Sequence, residues 1–309
     1  MTLRIGTRRS PLALVQAEEV RRRLAEQGTV AEIVPMSTSG DEGAPSRDAP
    51  AGLKGLFVDT ILDALERDEI DVAVHSAKDL PAEDDEGVII AAVPPREDPA
   101  DVLVLHEASL PPGAVIGTSS VRRRAQLLRA FPGVTVDDLR GNVDTRLRKV
   151  RDGTVDAAVL ALAGLIRLGV TPPHSAPLGS DVMVPAPGQG ALALQTRADD
   201  MLTLTALAPL DHFESRSALE AERSLMWRLG GSCALPLGAI ATVNGSRIEM
   251  LAVVIAPDGS RIARVEVVSD SPEGAAALAT KALIAEGAEE ILEALEDEAL
   301  GDEAGDDRR

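Results

Sequence analysis

Between Gly117 and Arg151 the chain carries eight arginines, Arg122, Arg123, Arg124, Arg129, Arg140, Arg146, Arg148 and Arg151, and one lysine, against Asp137, Asp138 and Asp144. That is a local charge of +6 inside a chain of net charge -19. Guanidinium forks take carboxylate or phosphate bidentately, so this segment is where an otherwise acidic protein would meet an anionic ligand. Arg124, Arg129, Arg148 and Arg151 read as a solvated helix face. The others do not. Arg122 and Arg123 follow Gly117-Thr118-Ser119-Ser120 directly, so hydroxyls and free helix-start amides are expected to converge with two guanidiniums on one point. Arg140 lies in the next strand-to-helix turn, Leu139-Arg140-Gly141-Asn142, with Arg146 one turn further on, and both are expected to face the same cleft. Arg8 and Ser10, in the first β-α turn, belong to the same set.

Asp79 follows Lys78 after a buried strand that ends at His75-Ser76. Alone it reads equally as a turn cap or an ion-pair partner. In a cationic cleft a carboxylate repels an anionic ligand, which makes sense when it must oppose developing positive charge or move protons. Cys233 sits in Leu229-Gly230-Gly231-Ser232-Cys233-Ala234-Leu235-Pro236. A lone cysteine is commonly a small buried hydrophobe, but the flanking glycines and proline make a loop that could present the sulfur as a nucleophile or a covalent anchor. His75 is either the distant base or a structural residue at the end of its strand.

These residues sit in 309 residues at 45% hydrophobic, enough for two or three domains with real cores. The negative charge disfavours nucleic acid and anionic lipid, and four aromatics (Phe57, Phe131, Phe213, Trp227) are too few for base-stacking platforms. One cysteine allows no intrachain disulfide and no cysteine-based metal cluster, so a reducing compartment and no metal are expected. Arg4, Arg8 and Arg9 precede only a short apolar stretch, neither a secretory signal nor a membrane span, so the chain reads as cytosolic and complete. Residues Glu286 to Arg309 hold eleven acids and two bases and read as a helix fraying into an acidic tail.

The elements that must position the cleft form an α/β pattern. Strands are expected at Leu3–Gly6, Val30–Met36, Ile70–Val74 and Val88–Val93, with helices after Ser10-Pro11 and over Gly55–Asp68. Ser37–Leu53 has no periodicity and reads as a flexible flap. Pro94–Pro99 is a stiff crossing into a second α/β unit, with strands at Asp101–Leu105, Ala114–Ile116, Thr135–Leu139 and Val155–Leu160 and helices at Ser119–Ala130, Asn142–Arg151 and Ala161–Leu168. Pro185–Gly190 is the return crossing, and Ala191–Gln195 a strand that could rejoin the first sheet. Two crossings imply a hinge. Beyond Asp211 come a helix to about Leu229, β segments turning at Asn244-Gly245 and Asp258-Gly259, and a closing helix from about Pro272. The domains are therefore 1–94 with 191–208, 100–184, and 213–298, followed by the tail 299–309. Three functions share this layout: a bilobal binding or effector protein, an enzyme using Cys233 as a transient nucleophile, and an enzyme with a group anchored on Cys233. The missing export signal and helix-turn-helix argue against the first.

Taken together and in order, His75-Ser76-Ala77-Lys78-Asp79, Gly117-Thr118-Ser119-Ser120-Val121-Arg122-Arg123, Leu139-Arg140-Gly141-Asn142-Val143, Thr145-Arg146-Leu147 and Gly231-Ser232-Cys233 resemble the porphobilinogen deaminase family. Thr7–Leu14, Lys54-Gly55-Leu56-Phe57, Ala163-Gly164-Leu165, Arg167-Leu168-Gly169 and Pro185–Ala191 agree, so the likeness spans Arg4 to about Gly259. The resemblance implies two periplasmic-binding-protein-like α/β domains with a hinge and a smaller α+β C-terminal domain. It implies a dipyrromethane cofactor joined to Cys233 by a thioether, and head-to-tail joining of four porphobilinogen molecules with loss of ammonia to give hydroxymethylbilane in haem biosynthesis. Asp79 would be catalytic. Arg8, Ser10, Lys54, Ser76, Lys78, Thr118, Ser119, Ser120, Arg122, Arg123, Arg140, Asn142, Arg146, Arg167 and Gln189 would bind cofactor and substrate. The expected state is a cytoplasmic monomer with no nucleic-acid or membrane partner. The chain departs from the family in having Pro50 to Leu53 where a second lysine often precedes Lys54, Asp59-Thr60 where Lys-Glu is usual, and Ser232 in place of a glycine.

Overall fold

The computed structural model describes residues 2–37, 55–83, 85–231 and 235–295. The expected flap from residue 38 onward, Lys54, Cys233 and the tail 299–309 lie outside them. The first sheet is built from β1 (Thr2–Arg8), β2 (Val30–Met36), β3 (Val72–Ser76) and β4 (Val88–Ala92), with α1 (Pro11–Glu26) and α2 (Gly55–Glu66) as its helices. Ser10 caps α1 by accepting from the Ala13 amide, and Pro11 supplies a preset φ in its first turn. Helical spacing then puts Ala13, Ala17, Val20 and Leu24 on one buried stripe. That stripe closes one face of the sheet against Leu3, Ile5, Val72 and Val74, while Ile61, Leu62 and Leu65 close the other against Ala73 and Ala193.

The second sheet contains β5 (Asp101–Leu105), β6 (Val115–Gly117), β7 (Thr135–Asp137), β8 (Ala157–Ala161) and β9 (Ser175–Pro177), with α3 (Val121–Ala130), α4 (Val143–Arg151) and α5 (Leu162–Leu168). β7 stops at Asp137, short of the expected Leu139. β9 is an addition to the expected elements, a short edge strand that tolerates Pro177 because an edge needs no donor there. After the return crossing, β10 (Leu192–Arg197) enters the first sheet and α6 (Met201–Leu207) follows it. The strand orders are β2-β1-β3-β10-β4 and β7-β6-β8-β5-β9. In each sheet three parallel strands are joined by an antiparallel one, β10 or β5, that arrives directly from a crossing. The carboxyl ends of β1, β3, β6 and β7 are the strand ends at which such sheets hold ligands.

The third unit packs α7 (Phe213–Arg228) and α8 (Pro272–Ala285) on an antiparallel sheet of β11 (Leu237–Asn244), β12 (Arg247–Ile255) and β13 (Ile262–Ser269). Its core is alanine-rich, with Ala218, Ala221 and Leu225 against Ala239, Ala241 and Ala252, which lets helix and sheet approach closely. Both expected hairpins are present. The architecture is the expected α/β pair with a smaller α+β unit. No helix among the described residues is long and apolar enough to cross a membrane.

Candidate active site

β3 runs into a 3-10 turn, Ala77–Asp79, that carries the first lobe's contribution. The Ala77 amide donates to Ala191 O at 3.0 Å, so the turn is pinned to the return crossing. Gly188 makes that approach possible: a Cβ there would lie 3.0 Å from both Ala77 C and Lys78 N, at a φ of +73°. Ser76 accepts from Gln16 of α1, and Lys78 Nζ donates to Gln189 Oε1 at 3.3 Å. Asp79 is half-buried, and its carboxylate has no hydrogen bond or ion pair among the described residues.

Across the cleft the arginines divide into two groups. Arg122 and Arg123 are buried and turned into the lobe, where they share Asp101, the first residue of β5. Arg122 Nη1 donates to Asp101 Oδ2 at 2.8 Å and to Val184 O at 2.6 Å. Arg123 reaches Asp101 Oδ1 through Nε and Nη2, at 3.1 and 2.6 Å, and Val159 O through Nη1. Burial alone would raise the Asp101 pKa, but the two guanidiniums hold it well below the carboxylate range. The expected convergence of these two arginines with open hydroxyls is therefore corrected. The hydroxyls are committed locally as well: Ser120 caps α3 by accepting from the Arg123 amide, Ser119 donates to Leu139 O, and Thr118 accepts from the Ser120 amide. Asn142 caps α4 in the same way.

Arg146 behaves differently. Its Nε donates to Gly141 O at 2.8 Å. Burial, reinforced by the like charge of Arg123, pushes its pKa down to about 10, while Asp79 and Asp138 oppose the shift. Asp79 of one lobe and Arg146 of the other thus feel each other across the cleft. A guanidinium lowered in this way carries positive charge that the protein has not fully compensated, and a bound carboxylate would relieve it. Arg140 is exposed and paired with Asp138 at 2.7 Å. Arg167 binds Glu19 of α1 at 3.2 Å and Gly190 O at 3.1 Å, bridging the lobes. Of the arginines expected to be merely solvated, Arg148 and Arg151 are exposed, whereas Arg124 donates to Val136 O and Arg129 to Gly259 O of the third unit.

Gln189 ties these parts together. It is fully buried; its Nε2 donates to Pro99 O and Asp101 Oδ1 at 2.7 and 2.8 Å, and its Oε1 accepts from Lys78. Its backbone oxygen accepts from Arg96 Nε, and Arg96 forms a bidentate pair with the buried Glu222 of α7. Glu222 also accepts from the Gly188 and Ala241 amides. Along α7, Arg216 donates to Ile90 O and Ala91 O, Leu219 enters the first lobe's core, Arg223 donates to Pro81 O and Ala82 O, and Trp227 donates to Glu83. One face of the helix is thereby fixed to the segment after Asp79. Gly231, two residues before Cys233, would bring a Cβ within 3.8 Å of Ala82 Cβ, three residues after Asp79. The start of the cysteine loop and the end of the Asp79 turn are neighbours.

Asp101, Arg96 and Glu222 were absent from the expected site. A local signal existed for two of them: Arg96 is a charged residue inside a proline-rich crossing, and Glu222 is an acid on the buried stripe of Ala218, Ala221 and Leu225. Asp101 gave none beyond opening a strand.

Two family models match the chain, described as porphobilinogen deaminase, dipyromethane cofactor binding domain, over residues 3–205, and porphobilinogen deaminase, C-terminal domain, over residues 217–286. Porphobilinogen deaminase of Acidithiobacillus ferrooxidans is 45% identical over 298 residues, covering 94% of this chain and 97% of the relative. That of Syntrophotalea carbinolica is 43% identical over 302 residues, covering 95% and 96%. A solved periplasmic binding protein of an arginine transport system from Legionella pneumophila is 13% identical, with a TM-score of 0.41 over 68% of this chain and 91% of its own. With both models in sequence order and curated relatives aligned over nearly their full length, the chain belongs to the porphobilinogen deaminase family.

Proposed function

We propose that this chain joins four porphobilinogen molecules head to tail, releasing ammonia from each, and then frees the linear product hydroxymethylbilane by hydrolysis. The observation that carries this reading is the half-buried Asp79 carboxylate opposite Arg146, which no hydrogen bond or ion pair covers among the described residues. Each porphobilinogen brings an acetate and a propionate. Arg146 has uncompensated charge to offer them, and Arg122 with Arg123 set two guanidiniums against the single carboxylate of Asp101, leaving one positive charge in surplus. Arg8, Ser10, Lys54, Ser76, Lys78, Thr118, Ser119, Ser120, Arg140, Asn142, Arg167 and Gln189 complete the proposed binding set. Among them Gln189, Arg167 and the capping residues act by holding the two lobes and three helix starts in place.

When the carbon–nitrogen bond of the substrate's aminomethyl group breaks, ammonia departs and a methylene-pyrrole cation remains. The Asp79 carboxylate opposes that charge, which lowers the barrier. In this reading the same carboxylate accepts the proton lost when the new carbon–carbon bond forms. The donor chemistry of the cleft fits a dipyrromethane bearing carboxylates. When bound through a thioether to Cys233, that group supplies the terminal pyrrole ring on which the product is built. Arg146 from the second lobe would hold it, with the surplus positive charge of the Arg122–Arg123–Asp101 cluster behind it. The enzyme acts in the cytoplasm as a monomer without nucleic-acid or membrane partners in this reading. Purified protein exposed to porphobilinogen under reducing conditions is expected to carry a dipyrrole-sized addition on its Cys233 peptide and to release ammonia; a bare thiol with no ammonia release overturns the reading.

A further inference from the structure

β3 ends in His75 and Ser76, whose side chains leave opposite faces of the sheet. Ser76 turns to α1 and accepts from Gln16. His75 lies on the face covered by α2, with Ala73, and is only 7% exposed. In that burial its Nε2 has no hydrogen-bonding partner among the described residues. Native interiors seldom leave a polar atom in this state, and where they do the group tends to have another task. β1 and β3 run parallel with Ile5 opposite Val72 and Gly6 opposite Ala73. Continued by two residues, that register sets Arg8 level with His75 on the same face. Asp79 follows His75 after the single turn of Ala77–Asp79. Burial and the charge of Arg8 push the imidazole pKa down to about 4, against the opposing pull of Asp79, so the ring is uncharged near neutral pH.

We propose that His75 is a positioning residue for Asp79: its imidazole offers Nε2–H to the Asp79 carboxylate in the ligand-bound site, fixing the reacting oxygens without supplying a counter-charge. The inference rests on the function proposed above. A ligand-free site commonly shows such a hydrogen bond long or unmade. The chemistry explains why the donor must be neutral. Asp79 stabilises the cation left by ammonia only while its own charge is uncancelled, and a lysine or arginine at this place would neutralise it beforehand. Arg8, beside the ring, serves the same end by keeping the imidazole deprotonated at the second nitrogen. His75 therefore orients the carboxylate without cancelling the charge that the substrate cation must meet.

The test uses holoenzyme, wild type beside His75→Phe and His75→Gln, with cofactor loading measured by intact mass and kcat and KM measured with porphobilinogen. His75→Phe is expected to load the cofactor and keep KM within about threefold while kcat falls on the order of 10- to 100-fold, the scale of a misplaced reacting group. His75→Gln retains a neutral N–H donor and is expected to recover at least half of the lost kcat on a logarithmic scale. If the phenylalanine variant does not fold, His75→Leu takes its place in the same comparison. A kcat within twofold of wild type in the variant lacking a donor overturns the proposal. So does a glutamine variant no faster than the apolar one at equal loading, because that result assigns His75 to packing alone. A wild-type protein that takes up no dipyrrole and releases no ammonia would instead overturn the proposed function, so the two failures are distinguishable.

Discussion

The two crossings between the lobes touch at Gly190, and the contact is tight enough to yield a quantitative prediction. Gly190 has a φ of +88°, and a Cβ there would overlap the Glu97 carbonyl oxygen and stand 3.2 Å from Glu97 C and 3.3 Å from Pro99 Cα. All three are backbone or proline-ring-bearing atoms that no side-chain rotation can clear. Gly190→Ala should therefore incur two costs: about 1–2 kcal/mol for placing an L residue in the left-handed region and about 1–3 kcal/mol for forcing packed backbone apart. The sum is about 2–5 kcal/mol. Gly28→Ala isolates the first cost, since Gly28 has a φ of +78° and no atom within 4 Å of its added Cβ. Urea unfolding followed by the single tryptophan, Trp227, whose indole bonds Glu83 of the first lobe, reads both variants in one assay. The midpoint of Gly190→Ala should fall well below that of Gly28→Ala, and its kcat should drop because the crossings set the Asp79 turn against the second lobe. Equal midpoints for the two alanine variants would refute the claim that the crossings are packed backbone to backbone.

Glu222→Gln should cost about 3–5 kcal/mol, because it leaves the Arg96 guanidinium buried without its counter-charge; a cost under about 1 kcal/mol in urea titrations would contradict the pairing. Asp79→Asn keeps shape and removes charge, so cofactor loading should persist by intact mass while kcat falls on the order of 10²- to 10³-fold; near-normal turnover would exclude the assigned role. The depressed His75 pKa, about 4 against an ordinary 6.5, means that the folded state binds a proton less readily than the unfolded chain. Stability is then fully present above pH 6.5 and declines by up to about 3 kcal/mol as pH falls toward 4. Denaturation midpoints across that window should show a shallower acid slope in His75→Gln than in wild type, and identical slopes would remove His75 from the acid response.

What was legible in the sequence is what local physics encodes. Ser10 and Asn142 announced two helix starts, and Ser119 marked a third one residue ahead of the actual cap Ser120, because a capping side chain satisfies amides only two or three residues ahead. The crossings were visible in their prolines, and the first sheet's return strand in the apolar run Ala191–Leu194. α6 was not, since Met201-Leu202-Thr203-Leu204-Thr205 alternates like a strand and only the Asp200 cap marks it as helical. The arginine set was found, but its division was not. Whether Arg122 faces the cleft or the core depends on Asp101, 21 residues earlier, and Arg96 is neutralised by Glu222 from 126 residues away. Pairings at that separation are decided by how strands order themselves in a sheet, which no window of local sequence contains.

The treatment of carboxylates across the molecule distinguishes structure from chemistry. Asp71 is covered by Arg4 and Arg197, Asp101 by Arg122 and Arg123, and Glu222 by Arg96. Each is at most 3% exposed at its side chain, where an uncompensated charge would be prohibitive. Such pairs add little net stability, but they fix where strands and crossings meet. Asp79 breaks the rule: it is half-buried, and no arginine or lysine pairs with it among the described residues. Lys78, next in sequence, bonds the Gln189 amide. Arg146, which feels Asp79 across the cleft, donates to a backbone carbonyl. A chain with twenty-seven arginines could readily have neutralised this acid as it did the others. A carboxylate uncovered among the described residues lowers the energy of a cation brought beside it, and in the function proposed here that difference is what a catalyst of cation formation must supply.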